Sequence, residues 1–214
     1  AGKRVLEVGC GMGTDLLQYA TGGANVVGCD LTLRHLQLAT KRFSLYNRRG
    51  AFVNADAENL GFKNDSFDFV FSNGVLHHTA DTAGAVQEVL RVLKPGGEAL
   101  IILYHRNSLV YRLQILLKSG TKRFLGKLLR GQNPFSLSVS KILSASTDGE
   151  SNPLTKVFSR REGLDLMTGF SNVTTDVYHL NKGDFPLSRL FPQKTLDWLS
   201  RSVGWYLVLR GVKK

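Results

Sequence analysis

The sequence has few cysteines and no long hydrophobic run, and both absences narrow the protein class. Two cysteines in 214 residues are too few for a disulfide-stabilised scaffold, so Cys10 and Cys29 are expected to be reduced thiols of a cytoplasmic protein. No stretch approaches the roughly 18 consecutive apolar residues of a membrane-spanning helix. With 43% hydrophobic and 21% charged residues, the composition also argues against intrinsic disorder. We therefore expect one globular domain over residues 1–214, truncated at its N-terminus because a strand is predicted to begin by Arg4.

Acidic residues are scarce in one segment, and this accounts for most of the net charge of +11. Residues 1–105 carry ten basic and ten acidic side chains, whereas residues 106–161 carry 11 basic side chains and only Asp148 and Glu150 as acids. Such a segment attracts phosphates, carboxylates, nucleic acid or an anionic membrane surface. A solvated face without a partner is the simpler alternative.

Apolar runs of strand length alternate with patterns of helical period, which indicates a parallel α/β sheet with right-handed crossovers. Strands are predicted over residues 4–9, 25–29, 51–54, 67–73, 98–104, 172–180 and 205–212. Helices are predicted over residues 14–21, 33–47, 82–93, 159–168 and 187–203, with Thr32 and the Ser159/Glu162 pair as N-caps. Two basic, leucine-rich helical stretches, 109–118 and 122–130, lie within residues 105–158, which we interpret as a helical insertion after the fifth strand.

A glycine-rich loop follows the first predicted strand. Gly9, Gly11 and Gly13 form G-x-G-x-G, and Asp30 ends the second strand 21 residues beyond Gly9, where a carboxylate can accept both hydroxyls of a ribose. A dinucleotide fingerprint needs a glycine where Thr14 stands, and no phosphate-binding G-K-[ST] is present. Glu7 would repel a pyrophosphate but suits a cation or an ammonium group. The pattern therefore predicts a ribose-bearing cofactor with positive charge.

Five stretches in this order resemble the motifs of a known family: VLEVGCGMG, GCDLT, ADAENLGF, FDFVFSNGVLHHT and LRVLKPGGEALIILY. They are similar to the class I S-adenosylmethionine-dependent methyltransferases, and most similar to the type 11 group that includes the ubiquinone/menaquinone C-methyltransferases. The resemblance spans residues 4–104, and the terminal GWYLVLRG resembles the last strand of that fold. It implies a Rossmann-like, mostly parallel seven-stranded sheet of order 3-2-1-4-5-7-6 with helices on both faces, and S-adenosyl-L-methionine as the cofactor.

The resemblance also implies which residues bind the methyl donor. Gly9, Cys10, Gly11 and Gly13 are expected to contact its methionyl part through their backbone, while Glu7 orients the loop. The side chains of Cys10 and Cys29 are otherwise expected to be small packing groups.

For the nucleoside part of the donor, Asp30 is expected to hold the ribose and Leu31 to pack on the adenine. Asp30 as a helix cap and Asp56 as an ordinary loop residue are the alternatives. The adenine amino edge and the methionyl ammonium are expected to meet the residues after the third and fourth strands, namely Asp56, Ala57, Asn73 and Gly74.

Methyl transfer is an in-line displacement on a sulfonium and depends mainly on alignment, so a conspicuous catalytic residue is not required. If the acceptor must lose a proton, His78 and His77 are the candidate general bases, since histidine titrates near neutrality. Tyr104 and His105, at the end of the fifth strand, are the candidate substrate contacts. No metal site is predicted.

The basic insertion has three competing functional interpretations, besides a simple structural insertion. It could be a lid whose Leu109, Leu113, Leu116 and Leu117 wall an apolar acceptor pocket, or an amphipathic element on an anionic membrane surface. A nucleic-acid platform is disfavoured, because aromatic residues are sparse and no RNA-binding motif is present.

The function predicted is therefore methyl transfer to a small-molecule or lipid-like acceptor, with an anionic group on the acceptor and peripheral contact with an anionic membrane left open. The alternatives are a nucleic-acid methyltransferase, although Ser72-Asn73-Gly74-Val75 replaces the usual N/D-P-P-[YF] motif, or a noncatalytic domain that binds the donor or its demethylated product, S-adenosylhomocysteine.

Overall fold

The computed structural model describes residues 2–113, 120–130, 154–185 and 188–214. Its strands are β1 (Arg4–Val8), β2 (Asn25–Asp30), β3 (Ala51–Asn54), β4 (Phe67–Asn73), β5 (Leu93–Tyr104), β6 (Phe170–Tyr178) and β7 (Tyr206–Lys213). Its α-helices are α1 (Thr14–Thr21), α2 (Leu33–Leu45), α3 (Thr82–Val92), α4 (Gly120–Leu129), α5 (Arg160–Leu166) and α6 (Gln193–Val203). Short 3₁₀ turns cover Leu76–His78 and Ser188–Leu190.

The strands form one sheet of order β3-β2-β1-β4-β5-β7-β6, which confirms the predicted order. The pairs β1–β2, β1–β4, β2–β3 and β4–β5 are parallel. In this register Val8 lies beside Cys29, and Asp30 lies beside Asn54. The carboxyl ends of the first three strands therefore meet at the edge of the sheet where ligands bind in open α/β folds.

Apolar side chains of β1 and α1 account for the position of the glycine loop. Residues 5–8 of β1 are all buried, as expected for a central parallel strand covered on both faces. Leu16 and Leu17 of α1 pack with Val5 and Phe71 in a buried cluster. Burial of these side chains holds the helix against the sheet and fixes the loop that connects β1 to α1.

Three local predictions need correction. Pairing of β5 begins at Leu93 rather than Glu98, because residues 94–97 are accommodated as a register shift opposite Phe67–Phe69. The last helix begins at Gln193 rather than Leu187, since Pro192 occupies its N-cap position and a proline is tolerated only at the start of a helix. Thr32 is the N-cap residue of α2, but its side chain makes no capping hydrogen bond.

The predicted helix 122–130 and the Ser159/Glu162 capping box are confirmed. Helix α4 spans Gly120–Leu129. Before α5, Ser159 Oγ accepts the Glu162 N–H at 3.3 Å, and Glu162 Oε2 accepts the Ser159 N–H at 2.8 Å. Of the predicted helix 109–118, residues 114–118 lie outside the described residues, as does most of the polar stretch that follows α4.

The chain divides into two compact units. Unit 1 consists of Ala1–Ile102, Leu164–Thr175 and Leu209–Lys214, and unit 2 of Leu103–Gly163 and Asp176–Val208. Unit 2 carries 15 basic and six acidic side chains, against 13 and 11 in unit 1. The prediction of a single domain with an insertion over residues 105–158 stays a prediction. Among the described residues no helix is long and apolar enough to cross a membrane.

Candidate functional site

The loop after β1 is a tight turn held by β2. The N–H groups of Gly9 and Cys10 both donate to the carbonyl of Cys29, at 2.8 and 2.9 Å, and the Gly13 N–H donates to the Cys10 carbonyl at 2.8 Å. Gly9 has a φ of 75°, and a Cβ atom on it would overlap the side chain of Val75. Only glycine fits both the left-handed backbone and the close approach of Val75, which explains the first glycine of the motif.

Asp30 clamps this loop to the end of β2. Its Oδ2 accepts the N–H of Gly11 at 2.8 Å, and its Oδ1 accepts the N–H of Thr32 at 2.8 Å and lies 3.2 Å from Nδ1 of His35. A carboxylate offers about four lone-pair directions, so Asp30 retains acceptor capacity for hydroxyl groups. The predicted ligand role and the alternative role near the start of α2 are therefore compatible.

A cavity of about 310 Å³ opens beside this clamp within unit 1. It brings together the end of β1, the end of β2 and the segments that follow β3 and β4. Its lining comprises Val8, Gly9, Asp30, Leu31, Ala55, Asp56, Ala57, Glu58, Val75, His78, Thr79 and Ala80. Five of the predicted donor-binding residues line it: Gly9, Asp30, Leu31, Asp56 and Ala57.

The cavity combines a carboxylate with an apolar surface. Leu31 is 72% exposed, which leaves its side chain available to a flat apolar ligand. Asp56 Oδ1 accepts the N–H of Glu58 at 2.9 Å, so this carboxylate is held in the loop after β3. An aspartate beside an exposed leucine is the combination that a nucleoside needs, with hydrogen-bond acceptors for its ribose and an apolar contact for its base.

Glu7 is a buried carboxyl at the end of β1, only 3% exposed. It accepts the backbone N–H of Leu16 in the first turn of α1, whereas its Oε2 has no hydrogen-bond partner among the described residues. Burial, together with the nearby Asp15 and Asp30, raises the pKa of Glu7 to about 8. A buried polar atom without a partner in the protein indicates a place where a ligand or a proton completes the site.

Asn73, the last residue of β4, and Gly74, the residue after it, do not line the cavity. Asn73 Nδ2 donates to Oδ2 of Asp15 at 3.1 Å, and the Gly74 N–H donates to the Ile102 carbonyl at 3.0 Å. Ser72 is buried, and its hydroxyl donates to the Val8 carbonyl at 2.9 Å. These bonds tie the end of β4 to α1, to β5 and to the end of β1.

The two histidines have different positions. His78 lines the cavity, whereas His77 has no exposed surface and does not line it. The ring centroids are 4.1 Å apart. Burial, followed by the neighbouring His78, lowers the pKa of His77 well below its usual value, so this imidazole is neutral at physiological pH.

Cys10 and Cys29 are both buried free cysteines. Burial is the main cause that raises the pKa of each thiol to about 12. Thiolates, not thiols, are nucleophiles, so these side chains are unreactive packing groups. This agrees with their interpretation from the sequence.

Tyr104 and His105, the predicted substrate contacts, belong to unit 2. The Tyr104 ring stacks on Trp205 with centroids 4.4 Å apart, and it remains half-buried. His105 is buried, with Nδ1 3.1 Å from the Gly204 carbonyl, and burial lowers its pKa. His105 therefore has an internal hydrogen-bonding position, and Tyr104 is the more accessible of the two.

Sequence reasoning missed several residues that shape the site. Asn54 Nδ2 donates to the carbonyls of Asp30 and Leu31, both at 2.9 Å, and so holds the chain as it leaves β2. A polar residue at the end of the third strand is the signal that could have identified it. Val75 against Gly9 gave no such signal, because this contact depends on tertiary packing. His35, five residues after Asp30, makes a local contact that the sequence reasoning did not consider.

The residues present fit a nucleoside with a cationic sulfur. The close-packed Gly9, the remaining acceptor capacity of Asp30 and the orphaned Oε2 of Glu7 each suit one part of such a ligand. Among the described residues no cluster of His, Cys, Asp or Glu could hold a metal ion.

Comparison with known proteins gives consistent results. Residues 6–101 match the family described as "Methyltransferase domain". The chain is 33% identical over 175 residues to the ubiquinone biosynthesis O-methyltransferase of Paracidovorax citrulli, covering 74% of this chain and 71% of that protein. It is 39% identical over 101 residues to the demethylmenaquinone methyltransferase of Clavibacter sepedonicus, covering 47% of this chain but spanning only 41% of that protein's length.

Among solved structures, the fold resembles phosphoethanolamine N-methyltransferase 2 of Haemonchus contortus in complex with phosphomonomethylethanolamine and S-adenosylhomocysteine. The TM-score is 0.66 at 20% sequence identity, and the match covers 100% of this chain and 49% of that one.

Proposed function

The chain belongs to the class I S-adenosylmethionine-dependent methyltransferases, and we propose that it transfers the methyl group of this donor to a small-molecule or lipid-like acceptor. The observation that carries the proposal is the cavity beside the Gly9–Gly11 loop, into which Asp30, Leu31 and Asp56 converge. The donor, when bound, supplies the electrophilic methyl group on its sulfonium. The relatives named above act, by their names, on quinone precursors, which supports a lipid-like acceptor.

In the proposed complex the protein acts mainly by alignment. Holding the acceptor atom, the methyl carbon and the sulfur in line can supply roughly 7–11 kcal/mol of the barrier. The methionyl part would meet the loop from Gly9 to Gly13, including the backbone of Cys10. Asp30 would bind the ribose hydroxyls, and Leu31 would pack on the adenine.

At the two ends of the donor, Asp56 and Ala57 would face the adenine amino edge, and Asn73 with Gly74 would lie near the ammonium group. The cavity supports the first pair, since both residues line it. Support for the second pair is the hydrogen bond from Asn73 to Asp15, which places a carboxylate near the loop.

We propose His78, rather than His77, as the base for an acceptor that must lose a proton. His78 lines the cavity, whereas His77 is fully buried and neutral. For the acceptor, Tyr104 is the better contact because it is half-buried, while the ring of His105 is engaged with the Gly204 carbonyl.

Donor binding and methyl transfer can be tested together. The full chain is incubated with methyl-labelled donor and a lipid extract, and the product is identified by mass spectrometry. Asp30→Asn should weaken donor binding at least about tenfold, because it removes the acceptor charge expected at the ribose. The matched control is Asp165→Asn, an exposed aspartate that does not line the cavity. Equal donor affinity for both variants, or no labelled product, would contradict the proposal.

We propose that the acceptor carries an anionic group and that the protein meets it at an anionic membrane surface. On α4, Leu125, Leu128 and Leu129 are 55%, 56% and 86% exposed, and Lys127 lies on the same helix. Exposed leucines with interspersed cations are typical of helices that lie in the headgroup layer of anionic membranes. The lid role stays a second proposal; of its leucines, Leu116 and Leu117 lie outside the described residues.

An exposed tryptophan on another helix of unit 2 also supports membrane contact. Trp198 on α6 is 69% exposed, between Lys194 one turn before it and Arg201 one turn after it. Tryptophan and lysine or arginine together favour the boundary between water and lipid. The two free, buried cysteines fit a cytoplasmic location, which we propose on this basis.

Vesicle binding tests this contact and uses Trp198 as the reporter. With phosphatidylglycerol-containing vesicles, the tryptophan emission should shift to the blue, because Trp198 would leave water while Trp205, 8% exposed, is already buried. Leu128→Asp/Leu129→Asp should abolish co-sedimentation, whereas Leu45→Asp, at a 73% exposed leucine of unit 1, should not. Equal binding to neutral vesicles, or no binding to either kind, would refute the membrane contact.

A further inference from the structure

Among the described residues, Glu7 is the buried carboxyl to which the proposed transfer reaction gives no role. Its side chain is 3% exposed and accepts the Leu16 N–H, and its Oε2 has no hydrogen-bond partner among the described residues. It stands two residues before Gly9, at the base of the loop that surrounds the methionyl part of the donor in the proposed complex. Among the described residues, this carboxyl therefore has one backbone hydrogen-bond donor, and no cation is among the groups that shift its pKa.

The groups around Glu7 add to the free-energy cost of ionising it. The charged groups that act on it are two carboxylates, Asp15 from α1 and Asp30 from β2, and both disfavour a third negative charge. The other titratable neighbours remain neutral at physiological pH, because burial raises the pKa of each: they are Cys10 in the loop, Cys29 in β2 and Tyr19 in α1. On β4, the neutral Ser72 donates to the carbonyl of Val8, the residue after Glu7, and the neutral Asn73 donates to Asp15.

We infer, on the basis of the proposed function, that Glu7 holds a proton in the ligand-free protein and releases it when the cationic donor binds, so that this residue makes the site prefer the donor over its demethylated product. The donor and the product differ by one positive charge, on the sulfur. A positive sulfur beside the loop offsets the charge of an ionised Glu7, whereas the neutral thioether of the product does not.

The same coupling removes the product after each turnover. When the methyl group leaves, the sulfur loses its charge and Glu7 regains a proton. An ionised Glu7 no longer has a positive sulfur beside it, so the site binds the product less tightly than the donor. With its pKa raised to about 8, about nine tenths of Glu7 is protonated at pH 7 in the ligand-free state, so the proton is present to be released.

Titration calorimetry measures this directly on the full chain. S-adenosylmethionine and S-adenosylhomocysteine are each titrated between pH 6.5 and 8, in two buffers of different ionisation enthalpy, which gives the number of protons released. Wild type should release more protons with the donor than with the product. The ratio of product Kd to donor Kd should rise at least about threefold over this range. The sulfonium lowers the pKa of the donor's amino group relative to that of the product, so Glu7→Gln is titrated with the same two ligands to measure this contribution.

Two variants assign the proton. Glu7→Gln keeps the shape and a hydrogen-bond acceptor but not the charge, and its Kd ratio should rise at least about threefold less than that of wild type over the same range. Asp15→Asn removes a neighbouring negative charge and should move the rise of the ratio to lower pH, which a purely structural role of Glu7 does not explain. Proton release measured on wild type keeps the test decisive if Glu7→Gln does not fold.

The outcomes separate this inference from the proposed function. If neither ligand binds, the proposed function itself is wrong. If both bind, but donor and product release equal numbers of protons, or the ratio changes as much in Glu7→Gln as in wild type, the inference alone is overturned.

Discussion

The strongest stability prediction concerns the first glycine of the loop, where two independent costs coincide. An alanine at position 9 would have a φ of 75°, a left-handed conformation that disfavours L-residues by about 1–2 kcal/mol. Its Cβ would also overlap the side chain of Val75, and relieving such overpacking costs typically ~1–3 kcal/mol. Gly9→Ala should therefore destabilise the protein by about 2–5 kcal/mol. For a chain of this length, each kcal/mol lowers the melting temperature by roughly 2–4 °C.

Gly11→Ala is the matched control. Gly11 also has a left-handed backbone, with a φ of 48°, but no heavy atom of the described residues lies within 4 Å of an added Cβ. This variant should show only the backbone cost, about 1–2 kcal/mol.

Adding Val75→Ala separates the two costs of Gly9→Ala. The double variant should recover part of the loss, so that the two substitutions are non-additive by about 1 kcal/mol or more in a double-mutant cycle. Thermal and urea unfolding of the four proteins measure this. If Gly9→Ala is no less stable than Gly11→Ala, or if the cycle is additive, the packing of Val75 against Gly9 does not explain this glycine.

Three further predictions concern charge, capping and chemistry. The pKa of Glu7 is about 8 in the folded protein and near 4.5 when unfolded, so its stabilising contribution is complete below pH 4.5 and is lost as the pH rises through 8, by up to about 5 kcal/mol. In urea unfolding, Glu7→Gln should therefore lose less stability than wild type between pH 6 and 9. Parallel pH profiles of the two proteins would contradict this. Ser159→Ala removes the hydroxyl that caps α5 and should cost about 1 kcal/mol, whereas Ser202→Ala, at an exposed serine of α6, should have almost no effect; equal melting temperatures would argue against the cap. His78→Ala should slow turnover more than tenfold with unchanged donor affinity if the acceptor loses a proton, and unchanged turnover would remove His78 from the mechanism.

The predictable parts of the site are those set by position along the chain. Gly9 and Asp30 could be placed because each follows a short apolar run, and parallel strands bring their carboxyl ends to one edge. Ser159 and Glu162 were recognisable because a capping box is local, three residues apart. The capping contact joins residues close together in sequence, and the meeting of Gly9 with Asp30 follows from the parallel arrangement of the strands.

Other features could not be predicted because they depend on residues far apart in sequence. Asn54 holds Asp30 from 24 residues away, and the side chain of Val75 meets Gly9. The sequence pattern predicts the start of β5 five residues too late, since Pro-Gly-Gly is typical of a turn, whereas pairing of Leu93 with Phe67 begins before it. The prediction also grouped His77 with His78, although one of them is buried and the other lines the cavity.

The order of apolar runs, helical periods and glycines was enough to predict a parallel α/β sheet and the location of the loop, because these follow from local pattern. The sheet order and the family were expected from the resemblance of five stretches to the motifs of known methyltransferases. The sequence also showed by itself where the basic charge is concentrated. Only the tertiary structure decided which side chains line the cavity and that the carboxyl of Glu7 is buried beside two other carboxylates. The reason is physical: burial and electrostatic potential at one atom are sums over neighbours from several elements, and those neighbours are known only once the chain has folded.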